Sequence, residues 1–194
     1  MLIAITGGIG CGKSIVSHLL KVMGYEVYDC DINAKTLMTT DEQLQQGLIG
    51  LFGKETYFTD GSLNKKHLST SIFNDTNALA AMNALIHPAV ARDLLGKYKD
   101  SNDELFFFES AILFESNFDK ISFPDKVISV SSPLELRIER TMKRDNATRE
   151  QVLNRMDNQM TQEEKDRKAD FVVYNDNCHS IINQIENILS NILH

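Results

Sequence analysis

Thr6-Gly7-Gly8-Ile9-Gly10-Cys11-Gly12-Lys13-Ser14 follows directly on the apolar run Leu2-Ile3-Ala4-Ile5. From Gly7 to Ser14 it fits G-x-x-x-x-G-K-[ST], the pattern of a loop that cradles phosphates. Glycines let the backbone curl and turn its N–H groups toward one centre. A helix beginning near Lys13 adds its positive end to the same nest. Apolar residues at Ile15, Val16, Leu19, Leu20 and Met23 have helical spacing, so the context is strand, loop, helix. A nucleoside triphosphate is the expected ligand. Gly8, Ile9, Gly10, Cys11, Gly12, Lys13, Ser14 and Ile15 are expected to bind it, with Lys13 on the β- and γ-phosphates and the Ser14 hydroxyl on Mg²⁺.

The rest of the chain alternates in the same way. β-type runs at Leu2–Ile5, Tyr25–Tyr28, Leu105–Phe108, Val127–Val130 and Phe171–Tyr174 are separated by helical stretches. That predicts an α/β fold, a doubly wound, five-stranded parallel sheet of the P-loop type. Helices are expected over Gln43–Phe52, over Leu63–Leu85 with a break near Asn74-Asp75, from Pro88 to Tyr98, from Pro133 to about Lys143, and over Ile181–Leu193. About seventy residues separate the second and third strands, more than one crossover needs. A helical substrate-binding insertion at about 60–100 is expected there, within a single domain of 194 residues.

Composition narrows the class. The net charge is −7, which argues against a general nucleic-acid binder. No run is long and apolar enough to span a membrane. Cys11, Cys30 and Cys178 lie too far apart for a zinc knuckle or a redox pair. His18, His67, His179 and His194 show no metal-ligand spacing. With no leader visible before the first strand, a cytoplasmic location is expected.

Acidic residues follow two of the strands. Asp29 and Asp31 end the second, where ligands sit in parallel sheets. In an extended segment they share one side. One of them can hold an acceptor hydroxyl and take its proton; alternatively Asp31 is simply the N-cap of the helix after it. Glu109 ends the third strand and is a candidate for supporting the metal or an exposed charge. Glu115, a little further on, is a candidate for orienting substrate. Arg137, Arg140 and Arg144 recur at helical spacing in the charged segment 137–168. They either form a lid that brings cations onto transferring phosphates or pair with neighbours such as Glu139 and Asp145.

Together these segments resemble the dephospho-CoA kinase family over nearly the whole chain. Thr6–Ser14 is similar to its opening loop. Asp29-Cys30-Asp31 with Ala34 and Lys35 resembles its D-x-D segment. Asp60–Asn64, then Leu68, Ile72 and Phe73, are similar to its helical substrate region, and Asn83–Pro88 to its H-P segment. Ile112–Glu115, Arg140–Asp145, Arg155 with Gln159, and Ala169–Val173 with Asn175 complete the match. Departures are Cys11, Ile15, Lys35, Glu109 and Ser110-Ala111, where the family generally has serine, threonine, arginine, aspartate and Val-Pro.

The resemblance implies ATP-dependent phosphorylation of the ribose 3′-hydroxyl of dephospho-CoA, a small-molecule substrate, to give coenzyme A. It implies catalytic roles for Lys13, Asp31, Arg140 and Arg144. It also implies acceptor contacts from Thr6, Asp29, Asp31, His87 and Glu115, and Mg²⁺ at Ser14 and Glu109. A nucleoside monophosphate kinase shares the loop, the acidic strand ends and the arginine lid, and is the alternative. A nucleotide-operated switch is less favoured: N-K-x-D is absent, and the D-x-x-G spacing at Asp93–Gly96 falls inside a helical pattern.

Overall fold

The computed structural model describes residues 1–73 and 75–193. In chain order the elements are β1 (Leu2–Thr6), α1 (Lys13–Val22), β2 (Val27–Asp29), α2 (Cys30–Thr40), α3 (Glu42–Phe52), a 3-10 turn at Lys54–Thr56, α4 (Lys65–Ile72), α5 (Thr76–Asp100), β3 (Phe106–Glu109), α6 (Asp119–Ser122), β4 (Lys126–Ser131), α7 (Leu134–Asp145), α8 (Arg149–Met156), α9 (Gln162–Lys168), β5 (Phe171–Tyr174) and α10 (Ile181–Leu193). The five strands form one sheet in the order β2-β3-β1-β4-β5. Parallel pairing sets Ile5 of β1 opposite Glu109 of β3, and Thr6 opposite Ser129 of β4. β1 is therefore central, and the loop after it opens at the middle of the sheet's carboxyl edge.

Strand alternation explains the two faces. Ile3, Ile5, Phe107, Ile128, Val130 and Val173 point one way and bury against Val16 and Leu20 of α1 and Ile185, Ile188 and Leu189 of α10. The opposite face of β4 is polar. Ser129 and Ser131 donate to the two carboxylate oxygens of Asp166 at 2.6 and 2.8 Å, which docks α9 on that face.

The second strand starts two residues later than expected. Gly24 adopts a left-handed φ of 96°, its N–H reaches the Lys21 carbonyl, and Tyr25 N–H reaches that of Leu20. This paired bond pattern ends α1 and uses Tyr25 as part of the helix stop. Pro88 also departs from expectation: it does not start a helix but sits inside α5. It forfeits the bond to the Ala84 carbonyl, at a cost of about 3 kcal/mol. Ile86, Ala89, Val90, Ala91 and Leu94, all buried, carry the helix across it. Of the expected break at Asn74-Asp75, Asn74 lies outside the described residues. Asp75 caps α5, accepting from Asn77 and Ala78 N–H at 2.9 Å each.

The chain forms two compact units: Met1–Tyr28 together with the residues from Tyr98 onward, and Asp29–Lys97. The first contains the phosphate loop, the 137–168 segment and most of the sheet. The second is mainly helical. No helix among the described residues is long and apolar enough to cross a membrane.

Candidate active site

β1 ends at Thr6, and α1 begins at Lys13 after Gly12, which has a φ of 92°. The loop between them is gripped from outside by the 137–168 segment. Gly8 N–H donates to Gln162 Oε1 and Ile9 N–H to Gln159 Oε1, both at 3.0 Å. Arg137 Nε donates to the Ile9 carbonyl at 3.0 Å. Cys11 is fully buried, and its carbonyl accepts from Asn175 Nδ2 at 2.9 Å and Ser132 Oγ at 3.1 Å. The N–H groups of Gly8 and Ile9, expected in the cradle, are thus directed to protein acceptors. Those of Gly10, Gly12, Lys13 and Ser14 meet no protein acceptor among the described residues. Lys13 Nζ donates to the Gly7 carbonyl at 2.9 Å. Four amides, a helix start and an ammonium in one turn of chain are a donor set for a polyphosphate.

Position 10 tolerates no side chain. Its φ is 77°, and a Cβ there would lie 2.3 Å from the Arg137 carbonyl oxygen. Gly10→Ala is expected to lose about 2 kcal/mol of stability and to weaken ATP binding. Gly50→Ala in α3, where a Cβ meets nothing within 4 Å, is expected to be neutral or to stabilise by up to about 1 kcal/mol. Thermal melts of both variants, with and without ATP, check the contrast.

The three arginines of α7 do not share one task. Arg137 is buried, and burial pulls its guanidinium below the ordinary arginine range against the attraction of Glu163 and Asp166. Its place is behind the loop, not over it. Arg140 donates to Ser132 Oγ and the Asn175 carbonyl at 3.1 Å each, and to Asn175 Oδ1 and Asn177 Oδ1 at 3.2 and 3.0 Å. Arg144 is exposed and forks onto Asp145 at 2.7 and 3.0 Å, a carboxylate that Arg155 also holds at 2.6 Å. Both arginines keep the Asp145 carboxyl well below the usual carboxylate range, Arg144 more than Arg155.

Among the acidic candidates, the capping residue is Asp29 and not Asp31. Asp29 Oδ1 accepts from Ile32 N–H at 2.9 Å, because α2 starts at Cys30. Residues 30 and 31 are helical, so the extended alternation that would set both aspartates on one side does not apply. Asp31 is exposed in the first turn of α2, and its carboxylate makes no hydrogen bond or ion pair among the described residues. Glu109 ends β3, and its Oε2 accepts from Ser17 Oγ at 2.6 Å. His87 lies inside α5, where burial lowers its pKa and favours the neutral ring.

Thr6 and Glu115 carry a different signal. Thr6 Oγ1 and Glu115 Oε2 are fully buried polar atoms without a hydrogen-bond partner among the described residues. Such atoms cost about 1–3 kcal/mol each and are retained at functional sites. The other oxygen of Glu115 accepts from Lys165 Nζ at 2.6 Å and Met160 N–H at 3.0 Å. Lys165 is completely buried and also donates to the Ala111 carbonyl at 2.6 Å. Sequence reasoning missed Lys165 and Gln162, since neither stands out within the charged run Gln162–Lys168. It also missed Ser132, a small residue just after β4.

Among the described residues no group of three or more His, Cys, Asp and Glu could hold a metal ion. Ser14 and Glu109 alone do not make a magnesium site. They fit an ion that arrives on phosphate oxygens and keeps several waters. A cavity of about 500 Å³ opens in the first unit beside Leu134, Leu153, Met156 and Met160, but no residue of Gly7–Ser14 lines it. The free donors of the loop therefore lie outside this cavity.

Comparison with known proteins gives a consistent picture. Residues 1–180 match the family described as dephospho-CoA kinase. A dephospho-CoA kinase of Bacteroides fragilis is 43% identical over 97% of this chain and 91% of its own length. A crystallised protein from Thermus thermophilus is 34% identical with a TM-score of 0.81, covering 100% of this chain and 96% of that one. The dephospho-CoA kinase from Campylobacter jejuni is 26% identical with a TM-score of 0.71, covering 98% and 96%.

Proposed function

The chain belongs to the dephospho-CoA kinase family, and from that premise we propose that it transfers the γ-phosphoryl group of ATP to the ribose 3′-hydroxyl of dephospho-CoA, giving coenzyme A and ADP in the cytoplasm. The observation that carries this reading is the loop itself: unspent amides and Lys13 at the head of α1, in a chain similar to dephospho-CoA kinases over nearly its whole length.

The chemistry follows from the donors. The acceptor oxygen attacks the γ-phosphorus, the bond to the bridging β,γ-oxygen breaks, and the hydroxyl proton passes to a base. Asp31 is the proposed base, because its carboxylate is exposed and unspent, whereas Asp29 is spent on capping α2. Lys13 leaves the Gly7 carbonyl for the β- and γ-phosphates and offsets charge as the bridge breaks. Arg144 exchanges Asp145 for phosphate at little cost, since an exposed ion pair is worth about 0–1 kcal/mol. Arg140 holds the asparagines beyond β5 and is the second proposed cation. Mg²⁺ would be held by Ser14, with Glu109 supporting it, and supplies charge neutralisation on the phosphates. Thr6, His87 and Glu115 are proposed to shape the acceptor site. The domain reading we propose is a single kinase domain carrying a helical acceptor-binding insertion and a lid at about 137–168.

An acceptor panel tests the reading. With ATP fixed, dephospho-CoA is expected to show kcat/KM at least a hundredfold above any nucleoside monophosphate. A preference for a nucleoside monophosphate would overturn it.

A further inference from the structure

α9 docks on β4 through Asp166, whereas Ala111 and Glu115 follow β3, and β1 lies between these two strands. The Lys165 side chain starts on α9 and ends on Ala111 and Glu115. It therefore crosses the carboxyl end of β1, where Thr6 leads into the phosphate loop. α9 is fixed at both sides of this crossing: Asp166 accepts from Ser129 and Ser131, and Gln162, one turn before Lys165, holds Gly8 N–H. The crossing is dry, since Lys165 is completely buried.

A buried lysine is costly unless paired, and this one is paired with one oxygen of Glu115. The other oxygen, Oε2, is buried with no donor among the described residues. A bare carboxylate beside a polyanionic substrate would repel it; a carboxylate cancelled by an ammonium does not. The pair is thus a neutral unit with one unused acceptor, suited to a hydroxyl or amide N–H and unsuited to a phosphate.

We propose that Lys165 is a positioning residue for the acceptor substrate: it locks and neutralises Glu115, so that Glu115 Oε2 accepts a hydrogen bond from a neutral hydroxyl or amide donor of that substrate. This deepens the kinase reading and rests on it for the identity of the acceptor. Lys165 itself touches no reacting atom.

The test compares Lys165→Met, Glu115→Gln and the double variant in the full-length enzyme, measuring KM for dephospho-CoA, kcat, and ATP affinity in the absence of acceptor. Lys165→Met is expected to raise KM at least tenfold, with ATP affinity within twofold of wild type, because it leaves the Glu115 charge uncancelled. Glu115→Gln is expected to raise KM less. The double variant is expected to match Glu115→Gln in KM, since Lys165 acts on the acceptor through that carboxylate and its bond to the Ala111 carbonyl is structural. Should Lys165→Met fail to fold, the double variant buries no unpaired charge and still permits the comparison with Glu115→Gln. Unchanged KM, a double variant worse than Glu115→Gln, or a parallel loss of ATP affinity would each overturn the assignment. If the wild-type enzyme prefers a different acceptor, the function proposed above falls. The same KM comparison is then made with that acceptor, because the geometry asks only for a hydrogen-bond donor.

Discussion

Replacing Lys13 with alanine is expected to lower kcat/KM about a thousandfold and to weaken ATP binding measurably. The size follows from removing a fixed positive donor aimed at developing charge, which typically costs a factor of about 10²–10³. Loss of ground-state attraction to the triphosphate comes on top of that. The loop itself should survive, because Lys13 contributes a single hydrogen bond to the Gly7 carbonyl. The backbone is held separately, by Gln159, Gln162, Arg137, Ser132 and Asn175. Thermal stability without nucleotide should therefore change little. Isothermal titration with ATP and steady-state kinetics check both halves. A variant that binds ATP as wild type does would remove Lys13 from the phosphates.

Asp31→Asn is the second large effect. Loss of a general base lowers the rate by about 10²–10⁴, so kcat is expected to fall by that factor while ATP affinity stays within twofold. The stability cost should be small, since Asp31 is exposed and its carboxylate makes no hydrogen bond among the described residues. Asp29→Asn is the matched control. Asparagine caps a helix nearly as well as aspartate, so that variant should keep most of its activity. If Asp29→Asn lost the activity and Asp31→Asn kept it, the roles assigned to the two aspartates would be exchanged.

How much of this could be read from the chain depends on the range of the interactions involved. The loop, its strand and its helix were legible because one local pattern dictates all three. The five strands were legible because each is a compact apolar run between helical stretches. Errors arose where tertiary contact overrode local rules. Pro88 is a standard helix-start signal, yet the buried apolar residues on both sides of it keep α5 continuous. Asp31 looked like a cap because the helical pattern after it begins at Ile32. The helix starts earlier, at Cys30, and that hands the cap to Asp29.

The 137–168 segment divides along the same line. Its arginine spacing correctly predicted a helix, α7. Spacing alone could not tell that Arg137 would be buried behind the loop, that Arg140 would bind asparagines beyond β5, or that Arg144 would pair with Asp145. Lys165 reaches across β1 to residues about fifty positions earlier in the chain. No local pattern encodes that crossing; it follows from the strand order.

The central claim is tested most directly by incubating the enzyme with ATP and dephospho-CoA and locating the transferred phosphate by NMR. The account predicts one ADP formed per coenzyme A, with the new phosphomonoester on the ribose 3′-carbon. ADP formed with the phosphate left in water, or bonded to any other position or acceptor, would contradict it.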